Sequence, residues 1–405
     1  MSPVLRPYRQ LAAIPHLPWL LLWSVVGRIH LPATPLAVSF LIAGWTGSYA
    51  VAGVVGGALT LGMGVAGPMR GRAADRSPAG RLLLVTASGY GVGIVVLGLL
   101  PGFTPGSAWP VAAVVAFLTG LSTPPVTAMS RASFPRLATG SARSAVFTVE
   151  ASVQEAMYIA GPAGAAVVVA VWNGQVALWL CGALAVLGAL GFGGALRRAG
   201  LDQPAGLAAE RGRRTLLRDR PLVLAFGASL CMVASLVSID LVIIAWARDL
   251  GTPAVAGVLT AVWGLGSLVG GLIAGGLGGQ ARFPRRMLLM ALGVAPLVLV
   301  LPPVLEPSSV WLIGLVLGVG GMAIAPAIAA NNERISGLAP EDRKVEAFGW
   351  MGTFTTAGSA LALPLAGSLL DHFGPAAAAG ASTAAALLGA VLASRVRERE
   401  AVPVG

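Results

Sequence analysis

Gly71-Arg72-Ala73-Ala74-Asp75-Arg76-Ser77-Pro78-Ala79-Gly80-Arg81 is a hydrophilic insert between two long apolar runs, Ser48–Met69 and Leu82–Leu100. Each run has about the 20 residues that a helix needs to cross the hydrocarbon core of a bilayer. The insert therefore reads as a short loop outside the membrane. The alternation continues in both directions. Further apolar runs are Pro18–Ala43, Trp109–Met129, Ser144–Val171 and Gln175–Leu196, then Pro221–Ala247, Ala254–Leu277, Met287–Leu305, Trp311–Ala330, Phe348–Leu370 and Ala376–Ala393. Twelve spans result. Of the 27 Lys and Arg residues, 25 fall in alternate gaps: the N-terminus, 70–81, 131–143, 197–220, 282–286, 334–344 and 395–399. Arg248 alone lies in the opposite set of gaps, and Arg28 lies inside the first span. Basic residues in short loops stay on the cytoplasmic side. The pattern predicts an all-α multi-pass protein of the inner (cytoplasmic) membrane, with twelve transmembrane helices and both termini cytoplasmic.

Composition agrees. The chain is 56% hydrophobic and 11% charged, a balance foreign to a water-soluble domain of this length. The net charge of +11 is dispersed over seven short segments, which suits orientation and lipid headgroups rather than nucleic acid. Trp19, Trp45, Trp109, Trp172, Trp246 and Trp311 fall at span ends, where an aromatic belt places them. The first run is too long for a signal-peptide core and carries Arg28, so it is expected to remain as helix 1. Cys181 and Cys231 lie within apolar runs and read as buried thiols; neither a disulfide nor a metal site, and no cofactor, is expected.

The hydrophilic stretch Arg197–Arg220 separates six spans from six. The expected organisation is an N-terminal tail (1–17), a six-helix bundle (18–196), a cytoplasmic linker (197–220), a second six-helix bundle (221–394) and a C-terminal tail (395–405). The halves echo one another. Ala50-Val51-Ala52-Gly53-Val54 recurs as Ala254-Val255-Ala256-Gly257-Val258, and at the same shift Gly67, Gly71 and Arg81 match Gly271, Gly275 and Arg285. Gly120 and Pro125 correspond to Gly321 and Pro326 at nearly that shift. Parallel repeats of six helices place a central cavity between two rocking bundles.

The insert Gly71 to Arg81 resembles the signature between helices 2 and 3 of the major facilitator superfamily, Gly-x-x-x-Asp-Arg-x-Gly-Arg-Arg. Gly71, Asp75, Arg76, Gly80 and Arg81 match it, with two extra residues before Gly80 and Leu82 in place of the last basic residue. The second copy, Gly275 to Arg286, has Gly279 where the acid stands. The resemblance implies that Asp75 and its neighbours fasten helix ends together in one transport state. In helix 5, Gly161-Pro162 looks like the core of the antiporter signature and implies a kink. Helix 4 departs from multidrug–proton antiporters: Ala116 stands where their signature has an Arg four residues before a Gly. Gly27-Arg28-Ile29-His30-Leu31-Pro32, Gln154-Glu155 and Glu346-Ala347-Phe348-Gly349-Trp350 resemble compact exporter-type members of the superfamily from actinobacteria.

Ionisable groups inside hydrocarbon cost about 2.5–3.5 kcal/mol each, so each is a candidate for function. Arg28 lies about 15 Å into helix 1 at 1.5 Å per residue, near midplane. His30 follows on another face, and Pro32 and Pro35 predict a bend just beyond. Glu155 lies at similar depth in helix 5, with Glu150 nearer the cytoplasm, and Asp240 lies in the outer half of helix 7. Arg28 and Glu155 are expected to meet beside the cavity, either handling substrate and protons or holding one another as a static ion pair. Acids of the linker read as solvated loop residues.

The function these features imply is secondary active transport of a small organic molecule by alternating access, most simply proton-coupled export by a monomer. An uptake symporter uses the same parts. A membrane-embedded enzyme or a non-transporting sensor fits less well, since His16, His30 and His372 fall at different depths and form no cluster. No phosphate-binding loop of the Gly-x-x-x-x-Gly-Lys-Ser/Thr type occurs, so a gradient supplies the energy. The partners implied are the substrate, protons and the bilayer. Impermeant thiol labelling of intact cells should modify a cysteine placed at Ser107 and spare one at Ala208; the opposite pattern would invert the topology.

Overall fold

The computed structural model describes residues 11, 14–138, 141–203, 215–250, 254–276, 282–306 and 309–396; Ala208 and Gly279 lie outside them. Twelve apolar helical spans follow in order: α1 Leu17–Thr46, α2 Val51–Arg76, α3 Ala79–Phe103, α4 Gly106–Arg136, α5 Ala145–Val171, α6 Gly174–Arg198, α7 Arg220–Ala247, α8 Val255–Gly275, α9 Phe283–Val300, α10 Val310–Leu338, α11 Glu341–Phe373 and α12 Pro375–Ser394. In lipid only such helices satisfy every backbone group internally. The chain is therefore a multi-pass membrane protein. Polar side chains at span ends accept the N–H groups that a helix leaves free: Ser48 from Val51, Asn173 from Val176 and Ser309 from Leu312. Gly47 and Gly374 turn the chain at φ 69° and 82°, a region that penalises any side chain.

Asp202 departs from the expectation of a solvated linker acid. Its carboxylate accepts the Gly80 N–H at 2.8 Å and its carbonyl accepts that of Ala79 at 2.8 Å. The segment after α6 thus folds back and caps α3, where the helix dipole favours negative charge.

Several spans are interrupted, and proline chemistry explains where. The bend expected at Pro32 and Pro35 is corrected to a break at residues 27–29, between the helical pieces Leu17–Val26 and His30–Thr46. A proline clashes with the carbonyl four residues before it, and four before Pro32 is Arg28. In α4 the helix stops at Leu121 and resumes at Val126. Pro124 has no N–H to offer the Gly120 carbonyl, which takes that of Thr123 at 3.2 Å instead, and Arg70 of α2 adds a side-chain donor. Its Nη1 reaches Gly120 O at 3.3 Å and also Thr123 O, its Nη2 reaches Met63 O at 2.8 Å, and its Nε reaches Ala66 O at 3.3 Å. Arg70 is thus turned into the fold rather than being a free loop cation. The matching break in α10 lies between Gly321 and Ile324, and there Ser267 Oγ of α8 accepts the free Ala325 N–H at 3.1 Å. The Gly and Pro shared by the two halves mark both breaks.

The packing also repeats. Among the first six spans α1 packs on α2, α5 and α6, α2 on α4, α3 on α4 and α6, and α5 on α6. Adding six to each number gives α7 on α8, α11 and α12, α8 on α10, α9 on α10 and α12, and α11 on α12, all of which pack. Between the sets, α2 and α4 meet α11, while α8 and α10 meet α5. The α2–α11 contact runs along small residues toward the end of the molecule that carries the basic loops. A Cβ on Gly67 would lie 2.7 Å from Gly349 O, and one on Gly71 2.6 Å from Val345 O; only glycine permits that approach. At the other end of α2, Gly53, Gly56 and Gly57 face open space.

Arg70→Leu should take the side-chain donor from the Thr123 carbonyl of the α4 break, at about 1–3 kcal/mol. Thermal unfolding in detergent should fall accordingly, and adding Pro124→Ala, which supplies the i+4 donor of an unbroken helix turn, should recover part of the loss. A variant as stable as the parent would show that the guanidinium serves no structural purpose there.

Candidate functional site

The α1 break sets the position of Arg28. Because its own N–H bonds Val25 O, the Ser24 carbonyl is free and accepts the Arg28 Nε at 3.0 Å. The guanidinium is thereby locked, 2% exposed, and faces Glu150 of α5, itself 1% exposed. Nη1 bonds Oε1 and Nη2 bonds Oε2 at 3.1 Å, the bidentate fork that guanidinium and carboxylate share. A second arginine joins them. Arg131 Nε lies 3.4 Å from Glu150 Oε1 and its Nη2 bonds Gln154 Oε1.

Two sequence expectations are corrected here. The acid beside Arg28 is Glu150, not Glu155. Five residues of helix turn through about 140° beyond a full circle, so the two glutamates point to different neighbours. Arg131, counted among loop cations, is buried because α4 continues past the apolar run, as Val126–Ser133 and a further turn. Extending that helix by one turn in the sequence would have revealed it.

Glu155 lies on the other face of α5 and shares a side-chain hydrogen bond with Ser267 of α8. Ser152 abuts Gly271 and Ile159 abuts Gly264 along the same face. The positions 152, 155 and 159 follow the spacing of one helix stripe, and this stripe is the α5–α8 contact. Ser267, which the sequence did not single out, thus links Glu155 to the α10 break. Asp240 of α7 and Tyr158 of α5 lie within electrostatic reach of Glu155, and Arg131 within reach of Tyr158. Glu155 and Asp240 are partly accessible, in contrast to the sealed Glu150.

His30 is 1% exposed and stands apart from this network, its ring 5.2 Å from that of Tyr90. α5 runs unbroken through Pro162. Gly161 contributes close approach: a Cβ there would lie 2.9 Å from both Ile29 O and Pro32 Cγ of the α1 break. Among the described residues no group of three or more His, Cys, Asp or Glu side chains converges.

A second constellation lies at the basic end. Asp75, in the last turn of α2, accepts the Val345 N–H at 3.1 Å and the Glu346 N–H at 2.8 Å. These are free donors in the first turn of the Lys344–Phe373 helix, so Asp75 caps a helix of the other half. Glu346, 1% exposed, takes Arg72 Nε at 2.8 Å and Arg343 Nε at 2.9 Å. The clasp therefore has two strands, one carboxylate to backbone and one ion pair. Of the remaining signature residues, Gly71 lets α2 touch α11, Gly80 sits in the capped start of α3, and Arg76 and Arg81 are exposed.

Removing one partner from a buried charge set leaves the others uncompensated, at about 3–5 kcal/mol. Glu150→Ala should lower unfolding stability in detergent by that amount, whereas Glu155→Gln should leave the fold intact. Equal losses for both would contradict the division of α5 into a sealed face and an accessible one.

Residues 225–404 match the model of the Major Facilitator Superfamily. No curated protein matches the chain by sequence. Among solved structures, the chain is similar to a bacterial homologue of the iron transporter ferroportin in an outward-facing state, with a TM-score of 0.75 and 17% identity over 94% of this chain and 99% of that one. The proton:xylose symporter XylE gives 0.68 and 16% over 94% and 96%. The human organic anion transporter MFSD10 gives 0.65 and 15% over 95% and 99%. At these identities the likeness is one of fold: the chain has the major facilitator fold.

Proposed function

We propose that the protein is a secondary active transporter that exports a small organic molecule across the inner membrane by alternating access, in exchange for entering protons. The observation that carries this reading is the clasp at the basic end. Asp75 of the first six spans holds the start of α11 in the second six, below a partly accessible acid pair, Glu155 and Asp240, shared by the same two sets. Residues 18–196 and 221–394 are the two six-helix bundles that rock against each other, joined by the cytoplasmic linker 197–220 and flanked by cytoplasmic tails 1–17 and 395–405. The packing pattern that recurs on adding six supports this division. With the clasp made, the cytoplasmic side is shut and the cavity opens outward. In this reading the transporter works as a monomer.

The buried set Arg28–Glu150–Arg131 holds α1, α4 and α5 together, while Glu155 exchanges protons and substrate. Its bond to Ser267 lies across the α5–α8 contact, so loading Glu155 biases the rocking equilibrium. Export follows the exporter-type sequence resemblance.

In proteoliposomes with an imposed pH gradient, a panel of small organic cations, anions and neutral solutes should contain a compound whose movement dissipates the gradient. Glu155→Gln should abolish that coupling, and Asp75→Asn should shift accessibility toward the cytoplasmic side by a factor of about 5–150, the range of a 1–3 kcal/mol coupling. Movement of no compound, or full coupling in Glu155→Gln, would refute the assignment.

A further inference from the structure

The structure assigns a lipid site to the outer surface between α1 and α6: we propose that an anionic phospholipid, with phosphatidylglycerol as the test case, is held there with its headgroup at the basic end. A pocket of about 180 Å³ lies between these two spans. One wall is the stripe His16, Trp19 and Trp23, and the other is Gly191, Gly194 and Arg198. Both have the i, i+3, i+7 spacing of a single helix face. The helices run in opposite directions, so His16 and Arg198 come together at the basic rim while Trp23 and Gly191 meet deeper in the membrane.

Three features point to a lipid rather than to packing. First, the rim is cationic. Arg198 is exposed at the end of α6, and His16 adds a second donor from the start of α1. Second, His16 is the one non-glycine residue with positive φ among the described residues, at 68°. That turn begins the Leu17–Val26 helix and leaves His16 in the lining of the pocket. Third, the groove has an apolar bed of the right shape. Trp19 is 60% exposed, the Trp23 ring lies over Gly191, and a Cβ on Gly194 would meet open space. Gly191 admits the Trp23 ring, and Gly194 leaves the groove open beside the exposed Trp19 indole, where an acyl chain can lie. A basic rim over an aromatic trough at headgroup depth complements one molecule with an anionic head and an apolar tail. This site is independent of the transport assignment.

Native mass spectrometry of the full-length protein, released from micelles containing equal phosphatidylglycerol and phosphatidylethanolamine, tests it. The parent should retain one phosphatidylglycerol in preference to phosphatidylethanolamine. Arg198→Gln should reduce retention about fivefold, the factor one basic side chain contributes near an anionic surface. Gly194→Leu, at a position with open space, should block the groove and abolish selective retention while the melting temperature holds. Equal retention of both lipids, or selective retention unchanged in both variants, would overturn the proposal.

Discussion

In hydrocarbon an unbonded backbone group has no water to turn to, and this constraint organises the protein. Four of the described spans, α1, α4, α9 and α10, are interrupted at or ahead of prolines. Each interruption frees donors or acceptors that must be met from within the chain. Arg28 answers its own break by returning its Nε to Ser24 O. Arg70 answers the α4 break from the neighbouring α2. Ser267 answers the α10 break from α8. The residues that repair the backbone are also those that connect the spans, so a repair made for stability becomes a means of coupling one helix to another.

The same economy governs the charges. A carboxylate at midplane is costly alone, and α5 carries two. Glu150 is neutralised by two arginines from α1 and α4 and is sealed. Glu155, turned toward α8, has a serine hydroxyl and lies near a second acid. One helix thus presents a carboxylate compensated by cations on one face and, among the described residues, a carboxylate without a cation beside it on the other. The compensated face fixes geometry. The other keeps the cost of a carboxylate with a serine and a second acid, rather than a cation, beside it.

At the basic end the halves are joined by a different device. A helix N-terminus offers free N–H groups and partial positive charge, and Asp75 takes two of them across the α2–α11 contact. The approach depends on Gly67, Gly71 and Gly349, whose missing side chains bring the backbones together. Such a contact is made or broken as a whole, because a carboxylate withdrawn from the helix end leaves several donors unpaired at once. Asp202 uses the same chemistry within one half, on α3, where the connection is short and nothing needs to separate.

The sequence by itself determined the number of spans, their order and the half-chain repeat, because span length, loop charge and glycine–proline spacing are local properties that bilayer thickness makes legible. It also marked Asp75, Arg28 and Glu150 as residues with a cost to repay. Which partners repay it was settled only by tertiary structure. Arg28 meets Glu150 rather than Glu155 because the rotation of α5 against α1 depends on how whole helices pack. Arg131, Gln154 and Ser267 entered the site because a small extension of α4 and the antiparallel contact of α5 with α8 brought distant residues together. Depth along a helix can be counted from the sequence; the face a residue presents, and what stands opposite, depends on the packing of every neighbouring span.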